Sequence, residues 1–431
     1  MSKLQELINK LCPNGVEFKP IWSLTTWDKK FKGVDRKMQP NVISYPYVLA
    51  NVFDDIEETN GDVKLLTTGI GGAERWTTEE KAGANLCEGE IIAIPWGGTP
   101  NVKYYNGKFV TADNRIATSN DTTVLHNKFL YYWLNNNIDL IAKTYRGAGI
   151  QHPSMLDVLN IMIPVPPIEV QEEIVRILDS FSDYAAELQA ELQARKQQYE
   201  YYRNLLLTFN PSAYGCGTDD EQKDGVTTWG GHNYKIEWKK MGEICNRICS
   251  GGTPTTSNKS FYNGSIPWLR TQEVNWSDVY DTEIKISEEA VKKSSAKLIP
   301  SNCVIIAMYG ATAAKVCINR IPLTTNQACC NLEINPQLAS YKYVYYWLCN
   351  SYEKLKSMGE GSQNNINGMK IKQYPIPIPP LELQEKIVAI LDRFETLVND
   401  LTNGLPAEIA AVKDQYEYYR NKLLTFRKLT A

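Results

Sequence analysis

The sequence is poor in histidine and has no long apolar run. Only three histidines occur among its 431 residues, and none lies at metal-ligand spacing from the pair Cys245 and Cys249. We therefore expect no metal site. No apolar run is long enough to cross a bilayer, and residues 1–12 lack the apolar segment of a signal peptide. These absences argue against a membrane or secreted protein.

Motifs for catalysis and cofactor binding are also missing. The sequence has no Gly-x-x-x-x-Gly-Lys-Ser/Thr loop, so ATP hydrolysis would have no phosphate-binding loop. The glycines of residues 69–73 do not continue into a dinucleotide-binding fingerprint. No nucleophile stands at a recognisable spacing from a general base. We therefore expect no catalytic residue and no cofactor in this chain.

The ten cysteines are scattered, and most lie inside apolar runs, with Cys329 and Cys330 adjacent. Secreted small domains instead space their cysteines as a disulfide framework. The pattern indicates reduced thiols and a cytoplasmic protein.

One long stretch occurs twice. The first copy reads IPVPPIEVQEEIVRILDSF from Ile163 and closes with QYEYYRNLLLTF at Phe209. The second reads IPIPPLELQEKIVAILDRF from Ile376 and closes with QYEYYRNKLLTF at Phe426. Both carry apolar residues at alternating steps of four and three, the heptad pattern of a coiled coil. The second copy has four extra residues that keep the seam in phase, and the segment NGLP at 403–406 predicts a kink or a stop and restart there.

Two seams of this length on one chain most simply pair with each other. We therefore predict an antiparallel two-helix coiled coil, roughly 60 Å long at the 1.5 Å rise of a helical residue. The two parts of the chain that precede these helices, which we call modules, would then be related by a pseudo-twofold axis, and this is the local symmetry of duplex DNA.

Shorter motifs recur in the same order in both halves, while the residues between them differ. This indicates a duplicated module with a retained frame and diverged loops. The matched segments are VEFK (16–19) and IEWK (236–239), IIAIPWGGT (91–99) and VIIAMYGAT (304–312), ADNR (112–115) and TNQA (325–328), YYWL (131–134 and 345–348), and GAGIQ (147–151) and GEGSQ (359–363).

We predict an α+β fold for each module. The predicted strands are 46–53, 91–96, 304–308 and 315–319, and the predicted helices are 128–140 and 342–356, with Trp133 and Trp347 in the core. The predicted order is a first module (1–160), a first long helix (161–214), a polar glycine-rich linker (215–233), a second module (234–373) and a second long helix (374–431).

The net charge of −3 is unevenly distributed. The segments 168–209 and 381–426 carry −4 and −3, which leaves +4 on the rest of the chain. Acidic residues on the long helices do not prevent the modules from contacting the phosphates of a nucleic acid, so the charge distribution permits nucleic-acid binding.

Loops rich in Gly, Thr, Asn, Gln, Arg and Tyr lie at matching places in both modules. Asn and Gln pair with adenine, Arg and Lys with guanine, and backbone N–H groups of glycine-rich turns reach phosphates. A solvated loop residue is an equal alternative for any single position, but divergent loops on matching frames favour binding for the set. The candidates are Arg75, Trp96, Lys103, Asn114, Arg115, Arg146, Gln151 and His152 in the first module, and Arg270, Thr271, Gln272, Tyr309, Lys315, Asn326, Gln327, Gln363, Asn364 and Asn365 in the second.

The tyrosine-rich ends of the long helices have two compatible interpretations. They either pack where the helices meet the modules or present a duplicated surface that docks the same partner twice, since Tyr and Arg are favoured in interfaces. The candidate residues are Tyr199, Tyr202, Arg203, Tyr416, Tyr419 and Arg420.

Two divergent modules, each followed by a helix that opens with IPxPP and closes with QYEYYRNxLLTF, resemble the specificity subunit of type I restriction–modification systems. The segment NGLPAEI at 403–409 is similar to the second spacer of that family. The resemblance covers essentially the whole chain. It implies two target-recognition domains that each recognise half of a split, asymmetric DNA sequence, with the coiled coil setting the gap between the halves.

The resemblance also implies partners for the chain on double-stranded DNA. Two methylation subunits would carry S-adenosylmethionine and methylate adenine N6, and two restriction subunits would use ATP and Mg. The chain itself would be a non-catalytic subunit, cytoplasmic and nucleoid-associated in a bacterium or archaeon. A coiled-coil scaffold that binds proteins, and a methylation-only system without a nuclease, remain alternatives.

Overall fold

The computed structural model describes residues 3–209, 225–229, 231–359, 365–400 and 402–429. They form two compact units. The first unit comprises residues 1–189 together with 408–431, and the second comprises residues 190–407. Within the described ranges, no helix combines the length and apolarity needed to span a membrane.

The first unit contains short helices and strands ahead of one very long helix. Its strands are β1 (Glu17–Pro20), β2 (Thr25–Trp27), β3 (Val63–Leu66), β4 (Trp76–Thr77), β5 (Cys87–Pro95), β6 (Lys103–Thr111), β7 (Asn114–Ser119), β8 (Tyr145–Arg146), β9 (His152–Pro153) and β10 (Met162–Val165). Its helices are α1 (Lys3–Leu11), α2 (Val52–Ile56), α3 (Glu79–Ala82), α4 (Asn127–Asn136), α5 (Ile138–Ala142), α6 (Met155–Leu159) and the first part of α7 (Ile168–Leu207).

A six-stranded sheet in the order β2-β7-β5-β6-β3-β4 forms the centre of this unit, with only β3 and β6 parallel. Alternate residues of β5 enter different clusters. Ile92 and Ile94 pack with α4 and α7, while Ile91 and Ala93 pack with Phe109 on the other side. A strand covered on both faces needs an unbroken apolar run, which explains the sequence IIAI.

The second unit repeats this organisation. Its strands are β11 (Gly225–Trp229), β12 (His232–Lys240), β13 (Cys245–Ser250), β14 (Ile266–Leu269), β15 (Asp278–Val279), β16 (Lys285–Ile286), β17 (Val304–Ala307), β18 (Val316–Asn319), β19 (Thr324–Thr325), β20 (Cys329–Ile334) and β21 (Pro375–Ile378). Its helices are α8 (Glu288–Lys292), α9 (Tyr341–Asn350), α10 (Tyr352–Ser357), α11 (Gly368–Gln373) and α12 (Leu381–Asn399). The main sheet has the order β13-β20-β17-β18-β15, and smaller sheets have the orders β16-β14-β19 and β11-β12-β21.

The structure explains why two distant motifs recur together. In the first unit, residues 17–19 of VEFK lie in β1, which pairs antiparallel with β10, the strand containing IPV that leads into α7. In the second unit, IEWK lies in β12 and pairs antiparallel with β21, the PIPI strand that leads into α12. Each pair therefore fixes the direction in which the chain enters a long helix.

The long helices make matching contacts inside each unit. The last helix, α13 (Leu405–Leu423), returns to the first unit. There Phe181 stacks on Tyr419, with ring centroids 5.5 Å apart, and Tyr184 donates a 2.6 Å hydrogen bond to Glu408. Phe181 precedes Tyr184 on α7, whereas its partner Tyr419 follows Glu408 on α13, so the two helices run antiparallel in this unit. In the second unit, Tyr202 stacks on Phe394 at 5.6 Å.

The predicted interruption of the second long helix is confirmed. Helix α12 ends at Asn399 and α13 begins at Leu405. The Gly404 N–H donates to Asp400 O at 3.1 Å, and a Cβ on Gly404 would lie 2.4 Å from Thr396 O. The chain therefore requires glycine where it turns against the end of α12.

Several predicted elements differ in the structure. Segment 46–53 is not a strand, because it makes only an isolated bridge from Tyr47 and then enters α2. The predicted helices 128–140 and 342–356 are each broken in two, at Asn137 and Ser351. Residues 215–224 of the predicted linker 215–233 lie outside the described residues. Its later part forms β11 and a tight hairpin into β12, since its β-rich sequence alternates up to Trp229.

A buried glutamine anchors each long helix to its α+β domain. The Gln171 amide accepts from His126 N (2.9 Å) and donates to Val124 O (2.8 Å) and Pro166 O (2.7 Å). The second unit repeats this: Gln384 accepts from Ser340 N (2.8 Å) and donates to the carbonyls of residues 338 (3.3 Å) and 379 (2.8 Å). Both glutamines are fully buried.

A half-buried ion pair and a tyrosine reinforce the anchor about two turns further along each helix. Asp179 accepts from Lys128 Nζ and from Tyr132 Oη, at 2.8 and 2.5 Å. In the second unit, Asp392 accepts from the equivalent Lys342 and Tyr346, at 2.5 and 2.6 Å. The recurring YYWL and LDSF/LDRF motifs therefore recur because they contact each other.

Replacing either anchoring glutamine by leucine should destabilise its unit. Gln171→Leu or Gln384→Leu removes three hydrogen bonds and leaves buried backbone groups without partners, which should cost about 2–3 kcal/mol of unfolding free energy. The shift of the urea unfolding midpoint measures this. Gln189→Leu, at an exposed position of the same helix as Gln171, should change the unfolding free energy by less than about 0.5 kcal/mol. Equal midpoints for Gln171→Leu and Gln189→Leu would contradict the anchoring role.

Candidate nucleic-acid interface

Three loops of the first unit meet at one end of its main sheet, and we call this region the loop edge. They are residues 67–72, which follow β3, residues 96–101, which join β5 to β6, and residues 145–153, the hairpin of β8 and β9. Of the eight candidates predicted in this module, seven lie at the loop edge or directly beneath it.

Buried amides and a lysine hold the base of the first loop. Asn101 Nδ2 donates to Thr68 O and to Thr99 O, both at 3.0 Å, and so ties the first loop to the second. Asn114 Nδ2 donates to Leu66 O at 3.1 Å. Lys103 Nζ donates to Thr67 O, and burial lowers the pKa of this lysine to about 8.

These contacts change the interpretation of two candidates. Asn114 is only 2% exposed, and Lys103 is directed at a backbone carbonyl. Neither side chain is presented to a ligand in this structure, so both position the loop. Asn101, which the sequence analysis did not select, has the same role.

Three hydrogen bonds fix the hairpin to the second loop and to Pro95, the last residue of β5. Tyr145 Oη donates to Pro95 O at 2.6 Å, Gly98 N donates to Gln151 O at 3.1 Å, and His152 Nδ1 lies 2.8 Å from Trp96 O. A Cβ on Gly97 would lie 3.0 Å from Ile150 Cγ2. The glycine therefore allows the hairpin tip to approach the loop closely.

Trp96 lies between a buried cation and an exposed histidine. The Arg115 guanidinium is 4.1 Å from the indole centroid, and the His152 ring is 5.3 Å from it. Arg115 is 6% exposed and donates to Asp113 Oδ1 at 2.9 Å. Arg115 thus supports the indole from behind, and Trp96 and His152 form the accessible part of the stack.

Residues 146–152 of the hairpin are all exposed, and their larger side chains are those of Arg146, Ile150, Gln151 and His152. Arg146 pairs with Asp157 but keeps 71% of its side chain exposed. Ile150 is 72% exposed, and Ile70 on the first loop is 65% exposed. The eighth candidate, Arg75, is held by both Asp54 and Glu57 at 2.6 Å, so its charge is already neutralised.

The second unit brings its candidates together in the same way. Thr312 Oγ1 donates to Thr271 O at 2.8 Å and joins the short 3-10 turns Thr271–Glu273 and Gly310–Thr312. Asn326 N donates to Leu269 O at 2.9 Å. Ile366 N donates to Met308 O at 2.9 Å, which places the exposed Asn365 beside this loop. Gln363 and Asn364 lie outside the described residues.

The candidate side chains of the second unit differ in exposure and in how far contacts within the protein already occupy their polar groups. Arg270 is held by Glu273 and Glu283, whereas Gln272 and Tyr309 are exposed, and exposed Gln327 accepts a hydrogen bond from Thr253.

Lys315 donates to Asn275 at 2.7 Å and lies 4.4 Å from the centroid of Trp276. Trp276 is 37% exposed and has φ 50°, a conformation that costs energy for a large side chain. The sequence analysis did not select it, since no motif surrounds it.

The sheet registers show that the two loop edges are not chemically equivalent. Arg115 lies opposite Ile94 in the first unit, and Cys329 lies opposite Ala307 in the second. The segments ADNR and TNQA are therefore offset by one residue in space, and Cys329 takes the place of Arg115. Tyr309 matches Trp96 in the aligned motifs, but Cys329, at the position of Arg115, offers it no guanidinium.

The six candidate partner-binding residues lie where the long helices meet each other and the domains. Tyr199 and Tyr202 contact Phe394, and Tyr416 and Tyr419 contact Phe181. The arginines do the same job in both units: Arg203 Nε donates to Asn350 at 3.3 Å, and Arg420 Nε donates to Asn136 at 3.0 Å. Packing is therefore their role inside each unit.

The middle tyrosine of each QYEYYRN motif remains accessible. Tyr201 is 62% exposed and Tyr418 is 61% exposed. The sequence analysis did not select these two residues, although a heptad count would have placed them off the apolar seam.

The described part of the chain contains no group of three or more His, Cys, Asp or Glu side chains arranged to hold a metal ion. Its nine cysteines are free thiols. Burial raises the pKa of several of them, and Cys245 and Cys303 reach about 12. The buried members, Cys87, Cys303, Cys317, Cys329 and Cys330, are packing residues.

Comparisons with known proteins agree on one family. A family model described as the type I restriction modification DNA specificity domain matches residues 50–195 and 234–411. The specificity subunit of the type I restriction enzymes EcoR124I and EcoR124II from Escherichia coli is 36% identical over 328 residues, covering 73% of this chain and 74% of that protein. A Haemophilus influenzae protein named as a type I restriction enzyme specificity subunit is 30% identical over 364 residues, covering 79% and 83%.

A solved structure shares the fold. The S subunit of a type I restriction–modification system from M. genitalium has a TM-score of 0.57 at 16% identity, covering 99% of both chains. At this identity the likeness concerns the fold alone.

Loss of the Asn101 amide should loosen the first loop of the loop edge. Asn101→Ala removes the two hydrogen bonds that tie residues 67–72 to residues 96–101, at about 1 kcal/mol of local stability, so amide hydrogen exchange in residues 67–72 should become roughly fivefold faster. Asn106→Ala, an exposed position on β6, is the control. Unchanged exchange in Asn101→Ala would show that the amide does not hold the loop.

Proposed function

The chain belongs to the type I restriction–modification DNA specificity family, and from that premise we propose that it selects a split, asymmetric DNA sequence for adenine-N6 methylation by partner subunits. The first unit recognises one half of the target through its loop edge. The second unit recognises the other half through the loops around Thr271, Tyr309 and Asn326. The chain itself carries out no reaction.

One observation carries this proposal: two equivalent frames present different polar groups at equivalent loops. Trp96, backed by Arg115, occupies the position that Tyr309 has in the second unit. A conserved frame with unlike loops is what recognition of two unlike half-sites requires, because base identity is recognised by side chains at the groove floor.

The distribution of charge supports the same function. The long helices hold the excess acid, and the remaining chain carries +4. Exposed Arg146 and His152 lie at the loop edge. Phosphate contacts then position the domain, while neighbouring polar and apolar groups discriminate between bases.

The duplicated helix ends support docking of the same partner at two places. Tyr201 and Tyr418 occupy matching positions, are exposed to the same extent, and lie beside packed tyrosines that fix their backbone. We assign these positions to two methylation subunits, which bring S-adenosylmethionine. Two restriction subunits, with ATP and Mg, join that assembly.

Sequencing of methylated bases in a host tests the function directly. With the methylation partner present throughout, a split N6-methyladenine motif should appear only when this chain is expressed. Exchange of residues 1–160 for those of a relative should change one half of the motif and leave the other intact. A motif that does not depend on the chain, or exchange that alters both halves, would contradict the proposal; the former would favour a protein-binding scaffold.

The interruption between α12 and α13 should affect the gap between half-sites. Deleting residues 404–407 keeps the heptad phase but removes the glycine turn at the end of α12. We expect the preferred number of unrecognised base pairs to change, with both half-site sequences retained. Binding of the assembled complex to a library of targets with different gaps measures this, and an unchanged gap preference would refute it.

A further inference from the structure

We propose that Ile150 contacts the 5-methyl group of a thymine in the major groove and thereby discriminates an A·T pair in the half-site of the first unit. This inference rests on the proposed function, because it specifies how the loop edge recognises DNA. It assigns a base-discriminating role to a residue that neither the sequence patterns nor the family assign.

The position of Ile150 is unusual for an apolar residue. It is 72% exposed at the tip of a two-stranded hairpin and contributes to no core cluster of the unit. A single exposed isoleucine needs no explanation by itself. Here, however, its neighbours are the polar or cationic side chains of Arg146, Gln151 and His152, all exposed.

The tip is also held in place before any ligand arrives. Three hydrogen bonds fix the hairpin to the end of β5 and to the second loop: Tyr145 Oη to Pro95 O, Gly98 N to Gln151 O, and the contact of His152 with Trp96 O. The absence of a side chain at Gly97 lets Ile150 Cγ2 come within 3.0 Å of where a Cβ would be. Ile150 therefore presents its methyl groups from a fixed backbone, which reduces the entropy cost of contact.

Ile70 provides a comparison on the neighbouring loop. It is 65% exposed, but Gly69, Gly71 and Gly72 around it have nothing within 4 Å of a built Cβ. Its loop is held at the base through Asn101 and not at the tip. Exposure alone therefore does not distinguish the two isoleucines, whereas fixation of the tip does.

The chemistry beside Ile150 fits an A·T pair. The thymine methyl is the apolar feature of the major groove, and a glutamine amide can pair with the adenine N6 and N7 edge. Gln151 is the next residue, and it is exposed. Adjacent apolar and amide groups at a hairpin tip match the two distinguishing features of that base pair.

The second module has a different residue at the matched position. The motif GAGIQ of the first module corresponds to GEGSQ at 359–363, so serine stands where Ile150 is found. Ser362 lies outside the described residues. A methyl contact of this kind is therefore expected in one half-site and not at the matched position of the other.

Removal of single methyl groups from the DNA tests the inference. The probe is a duplex with the methylated motif found for this chain, bound by the assembled complex of the full chain and its methylation partner. Each thymine of the half-site assigned to residues 1–160 is replaced in turn by deoxyuridine. One such replacement should weaken binding about fourfold, the equivalent of one buried methyl group. The corresponding thymine replacements in the other half-site serve as the comparison and should have smaller effects.

The protein side of the test is Ile150→Ala. It should weaken binding to the thymine duplex roughly tenfold, and it should abolish the effect of the sensitive deoxyuridine. Methylation by the variant should also become tolerant at that single position of the motif. Ile70→Ala, on the neighbouring loop, should retain the deoxyuridine effect.

Three results would overturn the inference. They are a first half-site without thymine on either strand, no thymine replacement that changes affinity, and an Ile150→Ala complex that still responds fully to the deoxyuridine. The last result would point to insertion between bases or to packing within the hairpin. Failure of the proposed function is distinguishable, because then no chain-dependent motif exists from which to make the probe.

Discussion

The buried glutamine at the start of each long helix is the contact on which the rest of the structure depends. Pro166 and Pro167 precede α7, and proline has no N–H to offer to the sheet or the helix. Carbonyl oxygens near such a run need donors from elsewhere. Gln171 supplies them and accepts from the N–H of His126, the residue before α4, so one amide joins strand end, long helix and domain core. Gln384 does the same in the second unit.

Because the glutamine holds the long helix against the domain core, the loops at the other end of the sheet are not needed for that contact. These loops are nevertheless held in place by hydrogen bonds. Asn101, Asn114 and Lys103 hold the first loop at its base, and Tyr145 holds the hairpin. Polar groups that are buried must find partners, so these side chains belong to the fold. Beyond them, tip residues such as Ile70 and Ile150 are exposed.

Sequence reasoning reached the duplicated α+β frame because both copies must satisfy the same contacts. The motifs VEFK, YYWL and IPxPP recur as strands, helices and anchors that touch. It was wrong about residues 46–53, where an apolar, β-rich run makes only an isolated bridge before entering a helix. Local composition could not show that the strand would lack a partner.

The candidate site was harder to predict, because residue type does not show which way a side chain points. Lys103 and Asn114 have the chemistry of DNA contacts but serve buried backbone groups. Tyr201 and Tyr418 are the most exposed tyrosines of their motifs, yet residue type alone did not single them out. The heptad phase contains that information, since residues off the seam face away from the partner helix.

The division between fixed base and variable tip bears on how such a protein changes specificity. A change at Asn101 or Asn114 would leave a buried carbonyl without its donor and so act on stability before it acts on recognition. Under the proposed function, a change at an exposed tip residue would alter contacts with DNA at little cost to the fold. Because the tip of the hairpin is fixed by hydrogen bonds from Tyr145, Gly98 and His152, and not by Ile150 itself, the residue at position 150 can vary while its placement is kept. Recognition can therefore diverge between two halves of one chain whose frames remain nearly the same.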